Sequence, residues 1–128
     1  MSDPIVYISH NRVKEGRLDD FRQFYREGVK LIEANKPGTL VHLAYTNEAG
    51  TEVTMIHLFP DAAALDRHML GAGDRTKGAY EFIEPIRLEL YGEPSPTVAE
   101  TIQRIAGSGI PLSLNPHRLG GYIRPSSG

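Results

Sequence analysis

An α+β fold is predicted for this chain of 128 residues by three observations. Apolar residues follow helical spacing in some segments and strand-like patterns in others. Two of the strand-like runs flank Asn47-Glu48-Ala49-Gly50-Thr51, which has the chemistry of a hairpin turn. The elements up to Gly92 come in the order β-α-β-β-α-β, which folds as an antiparallel sheet with its helices on one face.

The opening run, Ile5-Val6-Tyr7-Ile8, is short and β-branched, and the polar Ser9-His10-Asn11-Arg12 after it predicts a strand leaving its sheet. From Arg17 to Glu33 the residues Leu18, Phe21, Tyr25, Val29 and Ile32 advance by three or four. Asp19 and Asp20 occupy the first turn, where the helix dipole favours them, and Asn35-Lys36-Pro37-Gly38 closes the helix. Thr39 to Thr46 and Glu52 to Phe59 then form the hairpin, because Gly50 can supply the positive φ of its turn. The loop sets a register in which His42 faces His57, with Leu40 opposite Phe59 and Ala44 opposite Met55 on the same side. Val41 with Leu58 and Leu43 with Ile56 pair on the other side. Both faces are largely apolar, so both are expected to be covered, one by the chain's own helices and one by a second copy.

Asp61 is placed to cap a helix from Ala62 to Leu70, which Gly71-Ala72-Gly73 ends. This glycine run has neither the length nor the lysine of a phosphate-binding loop. A further helix is expected from Asp74 to Glu84, with Ala79, Phe82 and Ile83 inward and Pro85 as its stop. Ile86, Leu88 and Leu90 alternate with Arg87, Glu89 and Tyr91 as a half-buried strand. Residues 1–92 thus read as one ferredoxin-like domain with a four-stranded antiparallel sheet. In residues 93–128, Glu93-Pro94-Ser95-Pro96 reads as a stiff linker and Thr97-Val98-Ala99-Glu100 as a capping box. Val98, Ile102 and Ile105 then make the apolar stripe of a C-terminal helix. The tail from Ile110 to Pro125 alternates apolar and polar but carries prolines, so an edge strand or an extended arm is expected, on the same domain or across to a partner.

Composition narrows the function. Asp and Glu number 16 against 14 Lys and Arg, without a run of like charge, so the electrostatic footprint of a nucleic-acid binder is missing. The chain has no cysteine, which removes disulfides, thiolate metal ligands and thiol nucleophiles together. The opening MSDPIVYISHN reaches polar residues too soon for a secretory signal or a membrane span, and a cytoplasmic location is expected.

Val13-Lys14-Glu15-Gly16-Arg17, Lys36-Pro37-Gly38-Thr39-Leu40, and Met55 to Asp61 running into Ala64-Leu65-Asp66-Arg67-His68-Met69 together resemble the antibiotic-biosynthesis monooxygenase family. The resemblance spans about Pro4 to Tyr91. It implies a dimeric α/β barrel, in which the sheets of two ferredoxin-like subunits pack together. Members of the family include cofactor-independent oxygenases of phenols, anthrones and quinols, haem-degrading enzymes, isomerases and proteins without known activity, so fold alone does not select a function. The haem-degrading branch uses a histidine on the helix after the hairpin helix and a pocket tryptophan. Asp74 to Glu84 holds no histidine and the chain has no Trp, which speaks against that route.

Five residues carry the candidate chemistry. His68 matches the family's helical histidine and sits at helical spacing from Leu65 and Met69; it is the expected general base. Asn11, at the expected end of the first strand, resembles the asparagine of a similar stretch in the haem-degrading branch and is the expected donor to an oxyanion or to bound oxygen. Tyr80, His57 and His42 are expected to bind and orient the ligand. The facing His42 and His57 lack a third ligand at metal-binding spacing, so no metal is expected, and the resemblance to cofactor-independent oxygenases implies no cofactor. The reading is of a homodimer that oxidises a small aromatic or quinol-type molecule with O2, the alternative being a non-catalytic ligand-binding module.

Overall fold

A computed structural model describes residues 3–107 and 109–124. Its centre is strand β1 (Ile5–Val13), paired antiparallel with β3 (Glu52–Phe59) on one side and β4 (Ile83–Tyr91) on the other. Strand β2 (Val41–Thr46) lies outside β3, and β5 (Leu112–Asn115) runs parallel to β4, so the sheet order is β2-β3-β1-β4-β5. The α+β ferredoxin-like fold read from the sequence is therefore present, with a fifth strand that makes the sheet mixed rather than wholly antiparallel.

Helices α1 (Leu18–Asn35), α2 (Ala62–Met69), α3 (Ala72–Ala79) and α4 (Pro96–Ala106) connect these strands. Leu65 of α2 and Val98 and Ile102 of α4 pack with Ile5, Phe59 and Leu90 of the sheet in one cluster. Phe21 of α1 packs with Val53 and Ile83 in another, which Ala79 of α3 joins. Each such side chain contributes about 1.5–3 kcal/mol when fully buried. Together the clusters hold the helices on one face of the sheet. Among the described residues no helix is long and apolar enough to cross a membrane.

The hairpin has the expected register, with His42 opposite His57, Leu43 opposite Ile56 and Ala44 opposite Met55. Its turn is held by Asn47, whose Oδ1 accepts from the amides of Thr51 and Glu52, with Gly50 at φ 72°. Asp61 caps α2 as expected, accepting from the Ala64 amide at 2.8 Å.

Four expectations need correction. β1 does not leave the sheet at Ser9 but continues to Val13, because its polar half stays paired on both sides. Ser9 and Asn11 face the helices while His10 and Arg12 face outward against Glu89 and Glu84. The helix expected over Asp74 to Glu84 starts and stops early, at Ala72 and Ala79, and Ile83 already belongs to β4. Pro85 therefore lies inside a strand, opposite Asn11 at a bulge where the register with β1 shifts. β5 pairs only from Leu88 onward, so the amide hydrogen that proline lacks costs no ladder bond there. Finally, α4 is capped by Ser95, which accepts from the Val98 amide with Pro96 at the start of the helix, rather than by Thr97. The tail forms the edge strand β5 and then an exposed stretch through Arg124; Pro125, where the expected arm ended, lies outside the described residues.

Candidate functional site

Between the helix face of the sheet and helices α1 and α3 lies a cavity of about 170 Å³. A cavity near 150 Å³ accommodates benzene, so the space suits a molecule of about one ring. Its wall includes every residue singled out from the sequence: His68, Asn11, Tyr80, His57 and His42. The hairpin's histidine pair thus belongs to the helix side of the sheet, not to its outer face.

Three imidazoles from three elements meet in this wall. His42 of β2 and His57 of β3 are cross-strand neighbours with ring centroids 4.4 Å apart. His68 of α2 approaches His57 to 5.6 Å and packs edge-on against Phe59 at 5.1 Å. The end of α2 is anchored from two sides: Lys36 Nζ donates to the carbonyls of Arg67 and Leu70, and the Arg75 guanidinium donates to those of His68 and Leu70. These bonds satisfy carbonyls that the helix terminus leaves free and set the position of His68.

Each Nδ1 has its own partner. His57 Nδ1 lies 3.0 Å from the Tyr7 carbonyl, His42 Nδ1 2.8 Å from the Tyr25 hydroxyl, and His68 Nδ1 2.8 Å from Thr39 Oγ1. A carbonyl can only accept, so His57 carries its hydrogen on Nδ1 and, while neutral, a lone pair on Nε2. Burial is the largest cause holding all three below the usual histidine range. His42 is pushed down to about 3 by burial, then by His57 and Arg75. His68 is pushed down to about 3 by burial, His57, Arg75, His42 and Lys36 in that order. For His57 burial outweighs the raising effect of the Tyr7 carbonyl, Arg75 lowers it further, and the result is about 4. All three are neutral at physiological pH. Burial also raises the Tyr25 phenol to about 12 and pushes Tyr7 and Tyr80 upward, so these hydroxyls stay protonated and can donate.

Asn11 departs from its expected setting. It lies within β1, only 1% exposed, and its Nδ2 donates to Ser9 Oγ at 3.2 Å and to the Val53 carbonyl at 3.4 Å. The turn-forming role open to an asparagine at a strand end is therefore absent, and its amide hydrogens are already engaged. Tyr80 follows the last turn of α3 instead of sitting inside a longer helix, and its carbonyl accepts from Lys14 Nζ at 2.7 Å.

The missing third ligand of the sequence reading is supplied by packing. One ring nitrogen from each of His42, His57 and His68 lies within 4.8 Å of the other two. Three neutral imidazoles are a donor set that zinc or copper accepts. The Arg75 charge beside them, which lowers all three histidines, opposes a cation there.

Sequence reasoning did not find Arg75, Tyr25 or Thr39. Tyr25 sits on the apolar stripe of α1 and reads as core from spacing alone; its hydroxyl was the available signal, since a buried tyrosine needs a partner. Arg75 lies seven residues beyond His68 with a helix break between them, and only the folded chain brings the two together.

No protein-family model matches the sequence, and no curated protein matches it. Solved structures do resemble it in fold. MupZ from Pseudomonas fluorescens superposes with a TM-score of 0.74 at 17% identity, covering 97% of each chain, the C-terminal segment included. A putative antibiotic biosynthesis monooxygenase from Bacteroides thetaiotaomicron gives 0.58 at 22% identity over 69% of this chain and 85% of its own. SnoaB, a cofactor-independent oxygenase from Streptomyces nogalater, gives 0.61 at 15% identity over 74% and 99%. The fold is thus the ferredoxin-like α+β fold carried by antibiotic-biosynthesis monooxygenases.

Proposed function

We propose that the protein oxygenates a small, largely apolar phenol- or quinol-type molecule with O2, using its own side chains and the electrons of the substrate. The observation that carries this reading is the meeting of three imidazoles in an otherwise mainly apolar cavity. Such a group removes a proton from an activated C–H or O–H and leaves an electron-rich anion that O2 can oxidise. For a ring methylene beside a carbonyl, both C–H bonds are replaced by a carbon–oxygen double bond. One oxygen atom of O2 enters the ring carbon and the other leaves as water with the two hydrogens, all four electrons coming from the substrate.

His68 accepts the proton at Nε2 when Thr39 Oγ1 accepts from its Nδ1–H, and His57, with its lone pair already on Nε2, is the second acceptor. Tyr80 and His42 orient the ring. Asn11 meets the developing oxyanion after releasing the longer of its two bonds, the one to Val53. Oxygen uptake by metal-free protein with a panel of one-ring phenols and hydroquinones tests the reading, with His68→Gln, His57→Gln and Asn11→Ala alongside. Uptake lowered about a hundredfold by loss of an acceptor is expected. Turnover unchanged in both histidine variants refutes it, and binding without uptake leaves a ligand-binding module.

The working unit is a homodimer. Leu43 and Tyr45 on the outer face of the sheet are 45% and 59% exposed, and Tyr91, opposite Val6, lies on that face as well. A second copy laid sheet to sheet covers this surface. Sedimentation equilibrium tests it: a dimer is expected for the native chain and a monomer for Leu43→Glu with Tyr45→Glu, whereas a native monomer overturns the assignment.

A further inference from the structure

The cavity has an uncompensated charge. Arg75 is the one charged side chain among the described residues that line it, and no carboxylate faces it there. Arg12, Arg17, Arg22 and Arg87 each meet an aspartate or glutamate on the surface, but among the described residues Arg75 meets only the carbonyls of Leu70 and His68. A guanidinium has five N–H donors, and the two carbonyl bonds leave three of them for something else. Carbonyl dipoles do not neutralise a charge that is partly withdrawn from water, and such a site gains most from an anion.

The neighbouring groups complete an anion site. Because the Tyr25 hydroxyl can donate to His42 Nδ1, His42 can hold its own hydrogen on Nε2 and become a second donor. One side of the wall, including Phe21, Phe24, Val29, Ile32 and Met55, is apolar and gives a small inorganic ion nothing to pack against. An organic body with one charged end fits both halves.

We propose that the ligand of this cavity is an aromatic or similarly flat carboxylic acid of about one ring, bound as its carboxylate against Arg75 with its apolar body among the α1 side chains. The inference rests on the functional reading above for the location of the site, but not for the chemistry done there. It narrows the substrate class from phenols and quinols in general to those that carry an acid group. Arg75 then selects the ligand by charge, while the histidines act on its ring.

The test is calorimetric titration of the full chain, without turnover, using matched sets of hydroxybenzoates, each with its primary amide and methyl ester. In the native protein an acid is expected to bind at least about tenfold more tightly than its amide. Arg75→Gln is expected to abolish that preference and Arg75→Lys to retain part of it. Equal affinity for acid and amide in the native protein, the preference surviving in Arg75→Gln, or no acid binding at millimolar concentration overturns the proposal. Acids that bind by this criterion without consuming oxygen would refute the oxygenase reading and leave the charge assignment standing. Neutral quinols that turn over and bind as tightly as the acids would do the reverse.

Discussion

Lowering the pH below 6.5 is the perturbation whose effect follows most directly from the three histidines. In the folded chain His42, His57 and His68 have pKa values of about 3, 4 and 3. In the unfolded chain each returns to about 6.5. A folded-state value below the unfolded one means that the unfolded chain takes up protons that the folded chain refuses. Stability is therefore full above pH 6.5 and is lost as the pH falls from there toward about 4. One such histidine changes stability by about 1.4 kcal/mol per pH unit, so the fall from pH 6.5 to 5 costs about 2 kcal/mol for one ring and about 6 for three. Mutual repulsion makes the first proton easier to take up than the third, which places the expected loss between these figures. Against a typical stability of about 5–15 kcal/mol this is a large fraction. Glu84 and Glu89 are lowered from 4.5, chiefly by hydrogen bonds from Arg12 and Tyr91 respectively, so their contribution is lost only below this window. The assay is urea unfolding followed by circular dichroism at pH 7.5, 6.5, 5.5 and 5, on the native chain and on a variant with Gln at all three positions. A midpoint that stays constant from pH 7.5 to 5, or that falls equally in the variant, would refute the reasoning.

Three further substitutions test how the site is supported, each read as a shift in the urea midpoint at pH 7.5. Leu65→Ala empties a position in the cluster that seats α2 on the sheet and should cost about 2–5 kcal/mol; a loss below 1 kcal/mol would mean that the cluster closes over the gap. Gly38→Ala places a new Cβ 2.9 Å from Ala64 Cβ, and about 1–3 kcal/mol is expected because the approach of the chain to β2 and the wall of α2 must separate; a neutral result would show that they part freely. Asp61→Ala removes the acceptor of the Ala64 amide and should cost about 1 kcal/mol, with Asp61→Asn retaining most of it.

Short-range chemistry in the sequence was enough to place α1, the hairpin and the cap of α2. The stripe from Leu18 to Ile32, the turn around Gly50 and the carboxylate of Asp61 each determine their element within a few residues. The same local reading failed where tertiary pairing decides. Ser9 and Asn11 look like the end of a strand until a cavity on one face and two neighbouring strands give their polarity a use. Pro85 looks like a helix stop until a bulge opposite Asn11 excuses its missing hydrogen. Ser95, read as part of a linker, caps α4 because Pro96 begins the helix. In the site, the register exposed the pairing of His42 with His57, and helical spacing turned His68 inward. Their meeting depends on how α2 lies across the sheet, and the position of Arg75 depends on the break at Gly71. Neither is written in spacing.

The two borders of the sheet are unequal. β5 is four residues long, and Pro111 and Pro116 on either side leave little template for another strand. β2 runs six residues as Val-His-Leu-Ala-Tyr-Thr, without a charge or a proline, and among the described residues no strand lies beside its outer backbone groups. This is the border that offers another chain a template for edge-to-edge pairing. The strand exposed to that hazard is also the one that carries His42, so a foreign strand added there would draw one side of the cavity wall into a growing ribbon. The exposed edge of the sheet and one side of the cavity wall thus lie on the same six residues.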